Sequence, residues 1–289
     1  MSSQTITLPD GRKLGYATIG KGNPVMYFHG TASSRLEVYL LKHLTVKGNL
    51  QLIALDRPGY GLSTYKPRKS IQDINSDINC LADHLGIEQF SVLGWSGGGV
   101  FTLAYITCFP KRINCSIIVG TPDLPFDTSI AHNIPLAKYV MKFPFIGKIA
   151  MRNMRRQVLK ADCTEAFLRS SQGRQTLHTC SSRDLTFFSN PTWMGLMHQS
   201  MTEAFRQSNS VNVVLEEHQL FLKPWNLPFK NISDNLWVWQ GAEDKTCPVK
   251  NAYSIAHKIE NCNLEVFPRQ GHCVIFDNLE RLSELLKSF

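Results

Sequence analysis

Ser96 stands in the string Gly94-Trp95-Ser96-Gly97-Gly98, a G-x-S-x-G pattern. A serine hydroxyl is a weak nucleophile. It attacks a carbonyl when a base takes its proton and when donors receive the charge that moves onto the substrate oxygen. The flanking residues predict how the hydroxyl is presented. Phe90, Val92 and Leu93 make a short apolar strand, and three glycines open a segment whose Thr102, Leu103, Tyr105, Ile106 and Phe109 have helical spacing up to Pro110. At such a strand-to-helix corner the residues two before and two after the serine must lack side chains for the two elements to pass, and Oγ is pushed outward at the end of the sheet. The N–H of Gly97 then lies at a helix N-terminus, where unpaired donors and the helix dipole favour an oxyanion. With 19 glycines in the chain, the bare pattern arises by chance in about one chain in ten. A glycine-rich turn in a doubly wound sheet is the plain alternative, so the context decides.

The context supplies a base and an acid. Gly241-Ala242-Glu243-Asp244-Lys245-Thr246-Cys247-Pro248 follows one apolar strand, and Arg269-Gln270-Gly271-His272-Cys273 follows another. Ligands of open α/β sheets bind outside the C-terminal ends of the strands, so Ser96, Asp244 and His272 can converge despite their separation in sequence. Of nine histidines, His257 and His272 alone follow Asp244. His257 sits in an amphipathic helical pattern with Tyr253, Ile255, Ala256 and Ile259, which leaves His272 as the better base. Glu243 and Asp123 rival Asp244 as the acid, and Asp244 is preferred. The order serine, aspartate, histidine is the one expected on this kind of sheet.

The elements that must hold these residues alternate. Gln4 to Leu8 and Lys13 to Ile19 read as a hairpin turned by Pro9-Asp10-Gly11. Val25 to Phe28, Leu50 to Leu55, the strand before Ser96, Asn114 to Val119, Leu236 to Gln240 and Leu264 to Phe267 read as strands, with helices after His29 through Leu44, over Ile71 to Leu85, Val249 to Ile259 and Val274 to Lys287. Strand–helix–strand units predict a parallel sheet. The rhythm stops at Pro122 and resumes near Leu236. Between them lie amphipathic helical patterns, several prolines and six of the eight methionines: Met141, Met151, Met154, Met194, Met197 and Met201.

Composition narrows the class further. A chain of 289 residues with 43% apolar residues suits one α/β domain with a sizeable insertion. No apolar run reaches the length a bilayer needs, and the first residues carry neither a basic start nor a long apolar stretch, so a cytoplasmic protein is expected. Eight cysteines without a C-x-x-C pair read as reduced, mostly buried thiols. The net charge of +8 is scattered, with no basic tail and no nucleic-acid module, so no nucleic-acid partner is expected. Residues 122–230 hold 13 Lys or Arg against 8 Asp or Glu. Within them Ile146, Ile149, Ala150, Met154 and Val158 share a helical face, with Lys148, Arg152, Arg155 and Arg156 elsewhere. Such a stripe can touch a membrane surface, but a solvated helix is the stronger expectation. Gly59-x-Gly61 lacks the third glycine of a dinucleotide fingerprint and suits a turn. No metal-spaced cluster or phosphate loop stands out, so chemistry without a cofactor is expected.

Taken together, His29-Gly30-Thr31, the run Asp56-Arg57-Pro58-Gly59-Tyr60-Gly61-Leu62-Ser63, the Ser96 string, Gly241-x-x-Asp244 and Gly271-His272 resemble the α/β-hydrolase superfamily. The resemblance implies a mostly parallel sheet flanked by helices, with residues 1–121 and 235–289 as the core and 122–234 as an inserted helical cap. It implies Ser96 as nucleophile, Asp244 as acid, His272 as base, and the backbone N–H groups of Thr31 and Gly97 as the oxyanion hole. A serine nucleophile departs from the epoxide hydrolase and haloalkane dehalogenase branches, which use an aspartate. The expected activity is cleavage of an ester or related acyl bond in a small, largely apolar molecule. Proline iminopeptidase, C–C hydrolase and cofactor-free haloperoxidase activities use the same three residues, and a hydrolase-like ligand-binding protein is the alternative from another class. Trp95, Trp193 and Met197 are expected at the substrate, because methionine and aromatic side chains make adaptable apolar walls. The oligomeric state is not legible.

Overall fold

A strand buried on both faces must be apolar along its length, and all six residues of Phe90–Trp95 are buried. In the computed structural model, which describes residues 3–127, 143–161, 180–232, 235–289 and positions 166, 169, 173, 174 and 177, this strand lies at the middle of one sheet. The strands are β1 (Ser3–Thr7), β2 (Lys13–Gly20), β3 (Asn23–Phe28), β4 (Leu50–Leu55), β5 (Phe90–Trp95), β6 (Ile113–Val119), β7 (Leu236–Gly241) and β8 (Cys262–Phe267). Their order is β1-β2-β4-β3-β5-β6-β7-β8. β2 runs antiparallel to both neighbours and every other pairing is parallel. The expected hairpin and alternating strands are therefore present.

Register decides where the chemistry can be. Phe28 pairs with Gly94, Trp95 with Val119, Val119 with Trp239, and Gly241 with Phe267. Five strand ends thus line up along one edge, and the segments carrying Thr31, Ser96, Asp244 and His272 all leave from it.

The helices of the described residues are α1 (Lys42–Gly48), α2 (Asn75–His84), α3 (Gly97–Cys108), α4 (Pro144–Lys160), α5 (Ser182–Phe188), α6 (Pro191–Ala204), α7 (Ser210–Phe221), α8 (Lys250–Lys258), α9 (Val274–Asp277) and α10 (Leu279–Lys287). Ile78 and Leu81 of α2, Phe101 of α3 and Ile255 of α8 build the core on one face of the sheet. Leu44 of α1 and Leu282 and Leu286 of α10 build it on the other. Three expected helices are subdivided. The one expected through Leu44 is a 3-10 helix over Arg35–Leu41 followed by α1. Residues 71–74 form a 3-10 turn that begins at a Ser70–Asp73 capping box, before α2. The last helix breaks at Asn278, whose amide donates to Gln270 Oε1 and Val274 O, the competition by which asparagine interrupts helices.

Helices α4 to α7 fall between β6 and β7, and no strand interrupts them among the described residues. A third apolar cluster joins Val158, Ala204, Val213 and Val214 of these helices to Ala32 and Tyr60 in the loops after β3 and β4. The Ser200 hydroxyl also bonds with those of Ser33 and Ser34, both at 2.9 Å. The helices therefore rest on loops at the C-terminal edge of the sheet. The face expected on α4 is only half buried. Met151, Met154 and Val158 pack inward, whereas Ile146 is 38% and Ile149 52% exposed among the described residues. Among the described residues no helix is long and apolar enough to cross a membrane. Met141, Pro135 and Cys163 lie outside the described residues, and Cys80, Cys108, Cys115, Cys247, Cys262 and Cys273 are free thiols.

Candidate active site

Ser96 adopts φ 55°, ψ −127° between β5 and α3. A residue with a Cβ enters this region at a cost of about 1–3 kcal/mol, and such strain clusters at functional sites. The neighbouring glycines show why the corner tolerates nothing larger. A Cβ on Gly94 would lie 2.8 Å from the Gly98 carbonyl, and one on Gly98 would lie 2.8 Å from the carbonyl oxygen of His29. Strand, helix and the loop after β3 thus pass at backbone contact. A Cβ on Gly30 would lie 3.7 Å from that of Ser96, and one on Gly97 would strike Thr31 Oγ1 and come within 3.3 Å of the Phe221 ring. Thr31 and Gly97, the expected donors, are neighbours.

Asp244 and His272 meet as well. His272 Nδ1 donates to Asp244 Oδ2 at 2.8 Å, and an ionised carboxylate can only accept, which assigns the proton to Nδ1 and leaves Nε2 as the basic nitrogen. Asp244 is buried. Its Oδ1 accepts from the N–H groups of Thr246 and Cys247, both at 2.8 Å, and Oδ2 accepts from Gln240 Nε2 at 3.1 Å. Burial by itself would lower the proton affinity of His272, but the Asp244 carboxylate, with Asp184 and Glu37 behind it, outweighs this and raises the pKa. Gly120, at the end of β6 with φ 55°, closes the pair in: a Cβ there would lie 3.2 Å from His272 Nδ1 and 3.3 Å from Asp244 Oδ2. The His272 ring lies against Trp95, the residue before Ser96, at 5.4 Å between centroids.

The rival acids lie apart from His272 Nδ1, whose partner is Asp244. Asp123 accepts from Trp225 Nε1, Ser254 Oγ and Lys258 Nζ, all at 2.6 Å. Glu243 is exposed, and no ion pair of its side chain appears among the described residues. His257 lies on α8, away from Asp244. Of the three residues expected at the substrate, Trp95 is buried beneath His272 and its Nε1 donates to His272 O at 3.0 Å. Trp193 stacks on Phe187 and lines an outer groove of about 690 Å³ with Tyr39, His43, Phe276 and Arg281, a lining that includes none of Ser96, Asp244 and His272. Met197 packs on the same aromatic cluster. Phe221 stands at Gly97, and Met151, Met154 and Met201 pack on the apolar cluster that includes Ala32.

Several residues that position the site were not singled out from the sequence. Arg57 donates to the carbonyls of His29 and Gly30 at 2.5 and 3.1 Å and pairs with Glu217 of α7 at 2.7 Å. Arg68 donates to Glu217 at 3.0 Å, and Thr31 Oγ1 donates to it at 2.9 Å. Burial would raise the pKa of Glu217, but the two guanidinium groups override it and hold the carboxyl at about 2. Asp56 accepts from Arg35 N and Nη1 at 2.7 and 2.6 Å and from Leu62 N at 2.9 Å. The Asp56 to Ser63 run is thus a scaffold for the loop that carries Thr31, and Gly59 and Gly61, at φ 87° and 45°, serve its turns. Glu37, fully buried, accepts from Gly30 N at 2.8 Å and Tyr27 Oη at 2.7 Å, and burial raises its pKa. Asp184 of α5 reaches the His272 loop. Arg57 lies inside a motif that drew attention for its glycines, and Ser181-x-x-Asp184 has the form of a capping box. Nothing local announces the long-range partners.

The alpha/beta hydrolase fold family matches residues 23–279. The chain belongs to that family. An uncharacterized hydrolase of Bacillus subtilis, YcgS, is 34% identical over 111 residues, 38% of each chain. A 2-hydroxy-6-oxononadienedioate/2-hydroxy-6-oxononatrienedioate hydrolase of Comamonas testosteroni is 22% identical over 93% of this chain and 88% of that one. The matched stretches span 38%, 43% and 46% of three curated relatives, YcgS among them. Among solved structures, an alpha/beta hydrolase fold protein from Nakamurella multipartita superposes with a TM-score of 0.70 at 19% identity over 99% of both chains. A thermophilic esterase from Thermogutta terrifontis gives 0.68 at 20% identity over 100% of this chain and 97% of that one. The likeness to these structures shows the fold.

Proposed function

We propose that the chain is a serine hydrolase that cleaves an ester or related acyl bond of a small, largely apolar substrate through an acyl-enzyme on Ser96. The observation that carries this reading is the 2.8 Å bond from His272 Nδ1 to Asp244, with the imidazole seated against Trp95 beside the strained serine. In the reaction His272 Nε2 takes the proton of Ser96 Oγ as the oxygen adds to the carbonyl carbon. The oxyanion forms against the N–H groups of Gly97 and Thr31. Collapse breaks the bond to the leaving alcohol, which departs with the proton from His272. Water, activated by the same nitrogen, then hydrolyses the acyl-enzyme and restores the serine. Asp244 holds the tautomer and stabilises the imidazolium. No metal or cofactor enters these steps.

Residues 122–234 act as a helical cap, in which the cluster around Ala32 brings Met151, Met154 and Met201 near the oxyanion loop. The free thiols of Cys80, Cys108, Cys115, Cys247, Cys262 and Cys273 fit a reducing, cytoplasmic setting. The name of the Thermogutta protein, an esterase, supports acyl chemistry. A second reading, C–C bond hydrolysis on the same residues, takes support from the name of the Comamonas relative, which aligns over most of its length.

One experiment separates these. The purified chain is treated with a fluorophosphonate probe, the labelled peptide is mapped, and turnover of graded chromogenic esters is compared with that of an aminoacyl amide and a C–C hydrolase substrate. Label on Ser96 with ester turnover fits the proposal, and Ser96→Ala is expected to lower kcat by about 10⁴- to 10⁶-fold. Label on another serine, or none on the folded protein, rejects it. Label on Ser96 with turnover confined to the C–C substrate selects the second reading.

A further inference from the structure

His272 is held by its backbone as well as its ring. Trp95 Nε1 donates to its carbonyl oxygen at 3.0 Å, and Asp184 accepts from its N–H at 3.0 Å through Oδ2 and from the N–H of Cys273 at 2.8 Å through Oδ1. One anchor comes from the serine corner. The other comes from α5, between β6 and β7.

Asp184 is also fixed from its own side. It is the third residue of a capping box, in which Ser181 Oγ accepts from Asp184 N at 3.1 Å and Asp184 Oδ2 accepts from Ser181 N at 3.2 Å. The carboxylate is 3% exposed. The approach is close enough to dictate the residue before His272: a Cβ on Gly271 would strike Asp184 Oδ2 and Ser181 Oγ. The glycine of the Gly271-His272 string is therefore accounted for by the docking of α5. A helix cap needs one such carboxylate at the first turn of its own helix. It does not need that carboxylate to accept two further N–H groups from a loop 88 residues away.

We propose that Asp184 is a positioning residue for the base: through one carboxylate the helical insertion holds the His272 loop in its working place, so that the base is in position only while α5 is docked. This rests on reading His272 as the base. The charged groups that face the His272 ring are Asp244 from the loop after β7, Asp184 from α5 and Glu37 from the turn after β3. Asp277 and the thiols of Cys180 and Cys273 face Asp184 in turn. All three carboxylates favour the protonated imidazole, so removing the charge at Asp184 lowers its proton affinity while leaving the Asp244 bond in place.

The test compares the native chain with Asp184→Asn, Asp184→Ala and, as a control for the helix cap alone, Ser181→Ala. The readouts are the pH dependence of kcat/KM on a short chromogenic ester and the NMR titration of the His272 imidazole, assigned with His272→Gln. Asp184→Ala is expected to lower kcat about tenfold at nearly unchanged KM, with partial rescue in Asp184→Asn, which keeps one acceptor oxygen. Both variants are expected to move the acid limb and the imidazole titration down by about half a pH unit. Ser181→Ala is expected to lower stability and leave both where they are. If the imidazole titrates alike in the native chain and Asp184→Asn, or if the Asp184 variants behave as Ser181→Ala does, Asp184 is only a cap and the proposal falls. A native protein that takes no fluorophosphonate label but whose His272 titration moves in Asp184→Asn sinks the serine hydrolase reading and leaves the positioning role standing.

Discussion

Trp95 and His272 meet twice: their rings lie 5.4 Å apart, and the indole N–H donates to the His272 carbonyl at 3.0 Å. The residue that precedes Ser96 thereby grips the residue expected to activate it, so any shift of the serine corner carries the base with it. Phe276 of α9 packs edge-to-face on the indole at 5.1 Å, which ties the ring to α9 as well as to the corner. Trp95 belongs to the site as a spacer under the base, a different place from the substrate wall expected of it.

Trp95→Phe keeps a ring between His272 and Phe276 and removes the donor. A neutral hydrogen bond contributes about 1 kcal/mol, so we expect a loss of that order in denaturant unfolding. In steady-state kinetics on a short ester kcat is expected to fall several-fold with little change in KM. A variant with native kcat would show that the indole N–H does not help to place His272.

The pKa of His272 is raised, and the sign of its effects follows. In the proposed mechanism its neutral form is the base, so kcat/KM is expected to rise with pH through an acid limb above the ordinary imidazole value of about 6.5. Stability runs the other way. A raised folded-state pKa contributes stability that is fully present below the unfolded value and is lost as pH rises through the folded one. His272→Gln is expected to remove that contribution, which denaturant titrations of both proteins on either side of the window would reveal. An acid limb at or below the ordinary value contradicts the assignment.

The sheet, the strained corner at Ser96 and the loops that pair Asp244 with His272 were legible because each is written locally: apolar strands, turn residues, a serine between glycines. The positioning contacts were not, since Glu217 looks in sequence like one more acid on an amphipathic helix and Asp184 like an ordinary cap. Their partners, Arg57, Arg68 and the His272 loop, lie 88 to 160 residues away. Local patterns hold no information about contacts at that separation. Helical spacing likewise put Ile146 and Ile149 on an apolar face of α4 without revealing that, among the described residues, Met151, Met154 and Val158 are the side chains of this helix that join an apolar cluster.

The acid assignment has a direct comparison. Asp244→Asn is expected to lower kcat by about 10⁴-fold, by disturbing the His272 tautomer as the corresponding change does in a serine protease. Asp123→Asn, which disturbs the Trp225, Ser254 and Lys258 bonds, is expected to leave kcat within a few-fold of native while lowering stability. The reverse ranking would transfer the acid role to Asp123 and leave the fold as it is.

Glu217 joins α7 to the loops after β3 and β4, and it is buried between two guanidinium groups. Glu217→Gln leaves Arg57 without a carboxylate and Arg68 with Glu216 alone, and breaking a buried pair from one side costs about 3–5 kcal/mol. Glu203→Gln removes a partly exposed partner of Arg35 and is expected to cost about 1 kcal/mol or less. Because the Glu217 pKa is depressed to about 2, its contribution is present above the unfolded carboxyl value and is lost as pH falls towards 2. The native chain is therefore expected to lose more stability than Glu217→Gln across that acid window. Equal acid sensitivity in the two proteins would remove the network from the account.

Chain-length preference is expected to reside where the insertion approaches the serine, and the structure offers two faces to compare. Phe221 comes to Gly97, and Met201 packs on the cluster that includes Ala32, the residue after Thr31. Trp193 and Met197 belong to the aromatic cluster with Phe187 and Phe276 on the far side of Trp95. An acyl chain that leaves a carbonyl held between Thr31 and Gly97 meets the first face. Each methylene that finds apolar wall there is expected to improve kcat/KM by about 0.8 kcal/mol until the space is filled. Met201→Ala should then lengthen the preferred acyl chain and Met201→Phe should shorten it, with the rate of fluorophosphonate labelling unchanged because the triad is untouched. Met201 is half-buried, so either variant is expected to remain folded, and thermal unfolding checks that. Trp193→Ala is expected to alter stability without moving the profile. A shift of the optimum in Trp193→Ala and none in the Met201 variants would put the acyl wall on the Trp193 side, as the sequence suggested. A profile that stayed flat in all of them would leave the insertion without a part in selecting the substrate.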